Sequence, residues 1–197
     1  MDAFLLSFAV IFVAELGDKS QLMALAFATR YRAIDVLVGI SIATLIVHLG
    51  SVLLGSVVAT ALPTRAIAIV AGLAFFVFAA WTLRGDALDD EEAAKASRTT
   101  GSIIVAVGTA FFLAELGDKT MLATITLATR EEVVGTWLGS TAGMVAADAI
   151  AIAVGRVLGS RLPERAIRYG AAAAFTIFGA ILILEGVGFL GAQASRG

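Results

Sequence analysis

Cysteine is absent from the 197 residues, and histidine occurs once. Without cysteine there is no disulfide, no thiolate metal site and no thiol nucleophile. With one histidine besides, a typical Zn²⁺ or Cu⁺ site is disfavoured. Charge is scarce as well. Asp, Glu, Lys and Arg make up 15% of the chain, where a soluble domain carries about 25%. The net charge of −2 gives no reason to expect nucleic acid as a partner. The start, Met1-Asp2-Ala3-Phe4, has no basic stretch, so the first apolar run is expected to remain as a helix rather than be cleaved. What fills the chain instead is apolar: 59% hydrophobic residues, gathered in long runs. The solvent for most of this sequence is lipid.

A membrane-crossing helix needs roughly 20 mostly apolar residues. Six runs qualify: Phe4–Ala28, Ile34–Leu62, Ala66–Leu83, Ile103–Ala128, Val133–Leu158 and Ala166–Leu184. Short polar breaks separate them, and one charged connector, 85–101, lies in the middle. The expected fold is an all-α membrane protein of six spans. With six spans, both termini share one side. Arg30, Arg32, Arg84, Lys95, Arg98, Arg161, Arg165 and Arg168 fall on the other side. The positive-inside rule makes that other side the cytoplasm. Both termini are therefore expected outside it, as in an inner-membrane protein of a bacterium. Trp81 and Trp137, near span ends, read as interfacial belt residues.

The chain also repeats itself at an offset of 100. Phe12-Val13-Ala14-Glu15-Leu16-Gly17-Asp18-Lys19-Ser20 recurs as Phe112-Leu113-Ala114-Glu115-Leu116-Gly117-Asp118-Lys119-Thr120. Leu62-Pro63 recurs as Leu162-Pro163, and Arg65-Ala66-Ile67 as Arg165-Ala166-Ile167. The register never slips, so the chain is a duplication. The division is 1–84 for the first repeat, 85–101 for a cytoplasmic linker and 102–197 for the second. Each repeat holds three spans, an odd number, so the second is expected to enter the membrane inverted. Inverted repeats are an architecture of transporters, with the site near the midplane between the halves.

Acids sit inside the apolar runs, where a charged side chain costs about 2.5–3.5 kcal/mol on insertion scales. Such groups persist when a partner or ligand compensates them. Glu15 and Asp18 are three apart, as are Glu115 and Asp118, and on a continuous helix each pair shares a face. Inversion would bring the two faces together as four carboxylates. Hard oxygen donors suit Ca²⁺, Mg²⁺ and Mn²⁺. Ser20, Thr120 and Gln21 can add neutral oxygens. Gly17 and Gly117 permit close helix approach, or a local break that frees carbonyls as ligands. If Lys19 and Lys119 face the site, the balance of four acids and two lysines is −2. One divalent cation cancels that, and so do two protons. Crowded carboxylates in a low dielectric hold protons more readily than in water, so both ions would compete for one site. The simpler alternative is an ion pair within one helix, Glu15 with Lys19 and Glu115 with Lys119, which leaves Asp18 and Asp118 unexplained.

His48 in the second span faces a different residue at its repeat position, Asp148 in the fifth. Both are candidates for proton relay or secondary ligation, against the plain alternative of a hydrogen bond between helices. Thr44, Ser51, Ser140 and Thr141 read as packing hydroxyls.

Two E-x-G-D-[KR]-[ST] motifs, one per half and in register, resemble those of the family of Golgi, thylakoid and bacterial manganese/calcium–proton exchangers. The resemblance covers nearly the whole chain. It implies exchange of a divalent cation for protons. It also implies that Glu15, Asp18, Glu115 and Asp118 line the ion site, with Lys19, Ser20, Lys119 and Thr120 completing the motifs. The short form resembles the prokaryotic members, for which Mn²⁺ export is the expected role. The transported ion, Mn²⁺ or Ca²⁺, is substrate; no cofactor is expected, membrane lipid is the surroundings, and a homodimer is compatible with the pattern. Three other readings compete: an exporter of small organic solutes coupled to protons, a passive cation channel, and an intramembrane aspartyl protease using Asp18 and Asp118. Against the last, a lysine follows each Asp and would disturb the shared proton of a dyad.

Overall fold

The computed structural model describes residues 2–84, 102–158 and 164–188, all of whose regular structure is helical. The connector 85–101 lies outside the described residues. Eight helices occur among the described residues: α1 (Ala3–Glu15), α2 (Lys19–Arg30), α3 (Ala33–Ala61), α4 (Thr64–Arg84), α5 (Ile103–Glu115), α6 (Lys119–Ala128), α7 (Val133–Leu158) and α8 (Glu164–Gly186). Of these, α3, α4, α7 and α8 are long and apolar enough to cross a membrane unaided. Large apolar side chains such as Val57, Val77, Val105, Leu113 and Ile177 are exposed on the outside. That arrangement suits lipid and not water.

Two of the six expected spans are not continuous helices. Phe4–Ala28 divides into α1 and α2, and Ile103–Ala128 into α5 and α6. The cause is local. Leu16 and Leu116 are extended, and Gly17 and Gly117 take φ of 77° and 81°. Residues with a Cβ are disfavoured there by about 1–2 kcal/mol. The chain restarts as helix at Asp18 and Asp118, the N-cap residues of α2 and α6. At 1.5 Å per residue, the 13 residues of α1 rise about 20 Å, short of the roughly 30 Å hydrocarbon core. Each break therefore falls at depth.

The halves interlock. α1 lies along α7, and α5 lies along α3 in the corresponding way. Gly139 meets the backbone of Phe4, and Gly39 that of Ile104; a Cβ on either glycine would fall within 3 Å of a carbonyl oxygen. Farther along, Gly55 reaches Ile125 and Ala128, while Gly155 reaches Leu25. Thus α3 follows α5 and then α6 in the same direction, and α7 follows α1 and then α2. α4 and α8 form an antiparallel pair, with Gly72 against Gly179 and Phe75 packed on Phe78, Phe175 and Phe178. Trp137 departs from the belt reading: its Nε1–H donates to the Leu45 carbonyl of α3 at 2.9 Å, so it ties two helices together.

Candidate functional site

The two chain breaks bring the acids into one buried layer. Glu15 is the last residue of α1 and Asp18 the N-cap of α2, so they do not share the face of one helix as the spacing suggests; the same holds for Glu115 and Asp118. Instead, each acid pair flanks a gap between a helix C-terminus and a helix N-terminus. The C-terminal ends of α1 and α5 carry partial negative charge and unsatisfied carbonyls, which favour a cation. Glu15, Asp18, Glu115 and Asp118 are 0–4% exposed. The layer is occluded from both sides.

Within each motif the hydroxyl bonds the glutamate. Ser20 Oγ donates to Glu15 Oε1, and Thr120 Oγ1 donates to Glu115 Oε2 at 2.6 Å. Ser20 Oγ also lies 3.3 Å from Asp18 Oδ2. The remaining oxygens, Glu15 Oε2 and Glu115 Oε1, are buried without a hydrogen-bond partner. Gln21 closes the first gap: it accepts from Gly17 N–H at 2.9 Å and donates to the Ala147 carbonyl of α7 at 3.1 Å. In the second gap Met121 stands there, its sulfur 3.2 Å from Gly117 N.

The lysines do not form the within-helix pairs considered from spacing, because the helix is broken between each Glu and its Lys. Lys119 reaches across the halves and forms a buried ion pair with Asp18. It lies in electrostatic range of Asp118 and Glu15 too. Lys19 is half-buried. Asp148 is fully buried in α7, with neither carboxylate oxygen hydrogen-bonded, and it interacts electrostatically with Asp18, Glu15 and Glu115. Asp148 thus joins the layer as a fifth acid. His48 is buried in α3, where Nδ1 lies 3.5 Å from Thr141 Oγ1.

Glu15 also feels Glu115 across the interface between halves. Yet no three of these groups close into a ready ligand set among the described residues. The layer holds acids, hydroxyls and one internal cation. Its chemistry is exchange of small cations, with no nucleophile–base pair directed at a substrate bond.

That chemistry agrees with the relatives of the sequence. The profile described as the divalent cation/proton antiporter GDT1 matches residues 3–90 and 103–188, which takes in both motifs. The chain belongs to the GDT1 family. A Vibrio cholerae protein described as a candidate manganese exporter is 36% identical over 180 residues, covering 90% of this chain and 88% of that one. A GDT1-like protein of Synechocystis is 30% identical, with 92% and 96% covered. The chloroplast protein PAM71 of Arabidopsis thaliana is 32% identical over 91% of this chain, which spans 56% of that protein's length. No solved structure matches. As a GDT1 member the chain is an integral membrane antiporter of divalent cations and protons, not an enzyme. The resemblance drawn from the motifs and the family assigned by profile agree.

Proposed function

We propose that the chain exports Mn²⁺ from the cytoplasm in exchange for protons. On this reading Glu15, Asp18, Glu115 and Asp118 bind the ion between two inverted three-span repeats, residues 1–84 and 102–197. The observation that carries it is the ion pair of Lys119 with Asp18. One half lends a cation to an acid of the other, in a sealed layer beside Glu15 and Glu115.

The directions of the helices support the inversion. α3 turns back from α2 after a two-residue link and runs alongside α5 and α6 in their own direction. The second motif then enters opposite to the first, as in transporters with broken helices at the midplane. The distribution of arginines supports placing both termini outside the cytoplasm. The absence of a closed ligand set fits an ion-free, occluded state. Lys119 then occupies part of the charge that Mn²⁺ would supply, and Glu15 Oε2 and Glu115 Oε1 are donors held in reserve. Mn²⁺ is favoured over Ca²⁺ by the role ascribed to the Vibrio cholerae relative.

The test is transport in proteoliposomes under an imposed pH gradient, with Mn²⁺, Ca²⁺ and Mg²⁺ compared. Flux should follow the gradient and be greatest for Mn²⁺. Asp18→Asn and Asp118→Asn should abolish it while the protein still elutes as a folded species in detergent. Flux indifferent to the gradient, or surviving both substitutions, would overturn the reading.

A further inference from the structure

The two halves bring matching acids to one layer, yet the helix pairs leading to that layer differ in polarity. Along α1 and α7 stand Ser7, Thr136 and Ser140. At the corresponding positions of α5 and α3 stand Val107, Val36 and Ile40. All six side chains have 0% exposure. Ser7 Oγ and Thr136 Oγ1 have no hydrogen-bond partner, while Ser140 Oγ donates to the Trp137 carbonyl at 3.1 Å. The reverse case, Thr44 at the position of Met144, donates its hydroxyl to that methionine's sulfur at 3.3 Å.

Burying a hydroxyl without a partner costs about 1–3 kcal/mol. The valines of the other half show that this packing position accepts an apolar side chain of similar size. The hydroxyls are also aligned. Thr136, Ser140 and Asp148 recur at multiples of four on α7, and Ser7 is eight residues before Glu15 on α1, so each set shares a helix face. Ser7 lies about 12 Å from Glu15 along the axis, toward the membrane face where α1 and α7 begin. At the deep end of the line, Asp148 has two carboxylate oxygens and Glu15 one without a partner. Buried polar atoms lacking partners are where ordered water is held.

We propose that the α1–α7 pair carries a file of water from that membrane face to Glu15 and Asp148, and that protons reach the acid layer along it. The α3–α5 pair, closed by Val36, Ile40, Val107 and Phe111, carries none. What moves along the file rests on the antiport reading above; that the file is wet on one side does not. The pseudo-symmetric scaffold is thereby given a direction.

The chain has no native cysteine, so a single substitution supplies its only thiol. Ser7→Cys, Thr136→Cys, Val107→Cys and Val36→Cys are reconstituted and exposed to a small, membrane-impermeant methanethiosulfonate from each side in turn. A thiol ionises and reacts where water reaches it. Ser7→Cys and Thr136→Cys should react about tenfold faster or more, from the face where α1 begins, than the two valine-site thiols from either face. Equal rates at all four positions overturn the proposal. Ser7→Val and Thr136→Val, which install the residues of the other half, should fold normally. They should slow proton-driven flux about tenfold with the apparent affinity for Mn²⁺ unchanged, the loss a barrier higher by about 1.4 kcal/mol produces. Unchanged flux overturns it as well. If the native protein exchanged no metal for protons, the labelling contrast would still stand, so the two failures are distinguishable.

Discussion

Residues 15–20 and 115–120 have the same sequence apart from Ser20 and Thr120, but they do not have the same surroundings. Both break a helix at a glycine, and both hold their glutamate with the hydroxyl five residues on. There the likeness ends. Lys119 is buried against Asp18 of the other half, whereas Lys19 is half-buried. Gln21 bonds Gly17 and ties α2 to α7, whereas Met121 offers only a thioether. Asp148 stands in one long helix where His48 stands in the other. The motif dictates the break and the local hydrogen bond. Its neighbours decide which copy supplies the internal cation. A duplicated site can therefore share its ligands and divide its roles.

The sharpest way to break this comparison is to remove each lysine. Lys119→Ala leaves Asp18 buried without the ammonium that pairs with it. Stranding one member of a buried pair costs about 3–5 kcal/mol. Lys19→Ala, at a half-buried position, should cost about 1 kcal/mol or less. Thermal unfolding in detergent should separate the two variants clearly. Adding Asp18→Asn to Lys119→Ala should recover much of the loss, since the amide needs no counter-charge. Equal melting temperatures for the two single variants would make the copies equivalent and end the division of roles.

The hydroxyl bonds sharpen the comparison from the other side, because here the copies should agree. Ser20→Ala and Thr120→Val each remove a donor to a buried glutamate oxygen. A hydrogen bond to a charged acceptor contributes about 1.5–3 kcal/mol. Both variants should lower stability by similar amounts, read from the same melts. A loss confined to one of them would mean that the other glutamate is held by something else.

Much of this was legible from residue order, and the misses have a common cause. Six apolar runs and the offset of 100 gave the helical repeats, and α7 coincides with the expected Val133–Leu158. Hydropathy is blind to backbone dihedrals, so the runs around Glu15 and Glu115 read as continuous although each contains a positive-φ glycine. The face-sharing argument for Glu15 with Asp18 failed with that continuity. The spacing had a signal for the break, the glycine within E-L-G-D, but nothing in it ranked a break above a tight helix contact. The Lys119–Asp18 pair joins residues 101 apart in sequence, and no local pattern predicts such a pairing. Asp148 stood out because its partner position holds His48. Ser7 and Thr136 did not, since a hydroxyl in an apolar run is ordinary until its depth and lack of partners are known.

Substitution at the turns is the next test, and it separates backbone from contact. A Cβ added at Gly117 would meet nothing within 4 Å. Any cost of Gly117→Ala is therefore conformational, about 1–2 kcal/mol for holding an L residue at φ 81°. Gly117→Asn should cost less, because asparagine tolerates the left-handed region. Gly17, at φ 77°, should show the same order of variants. If alanine were harmless at both positions, the helices would be free to re-form without a break.

The smallest expected effect concerns the residue that differs just after the motifs. Gln21→Met copies the second half into the first. It exchanges an amide acceptor for a thioether at Gly17 N–H and deletes the donor to Ala147 O. Each ordinary hydrogen bond contributes about 0.5–1.5 kcal/mol net, and sulfur accepts only weakly. A loss of about 1 kcal/mol is expected, seen as a modest fall in melting temperature. The reverse change, Met121→Gln, should gain no more than one such bond, because the second requires the α2–α7 contact that Gln21 makes. An equal and opposite gain would mean that α6 and α3 present the same carbonyl to a glutamine, and that the two gaps differ in sequence alone.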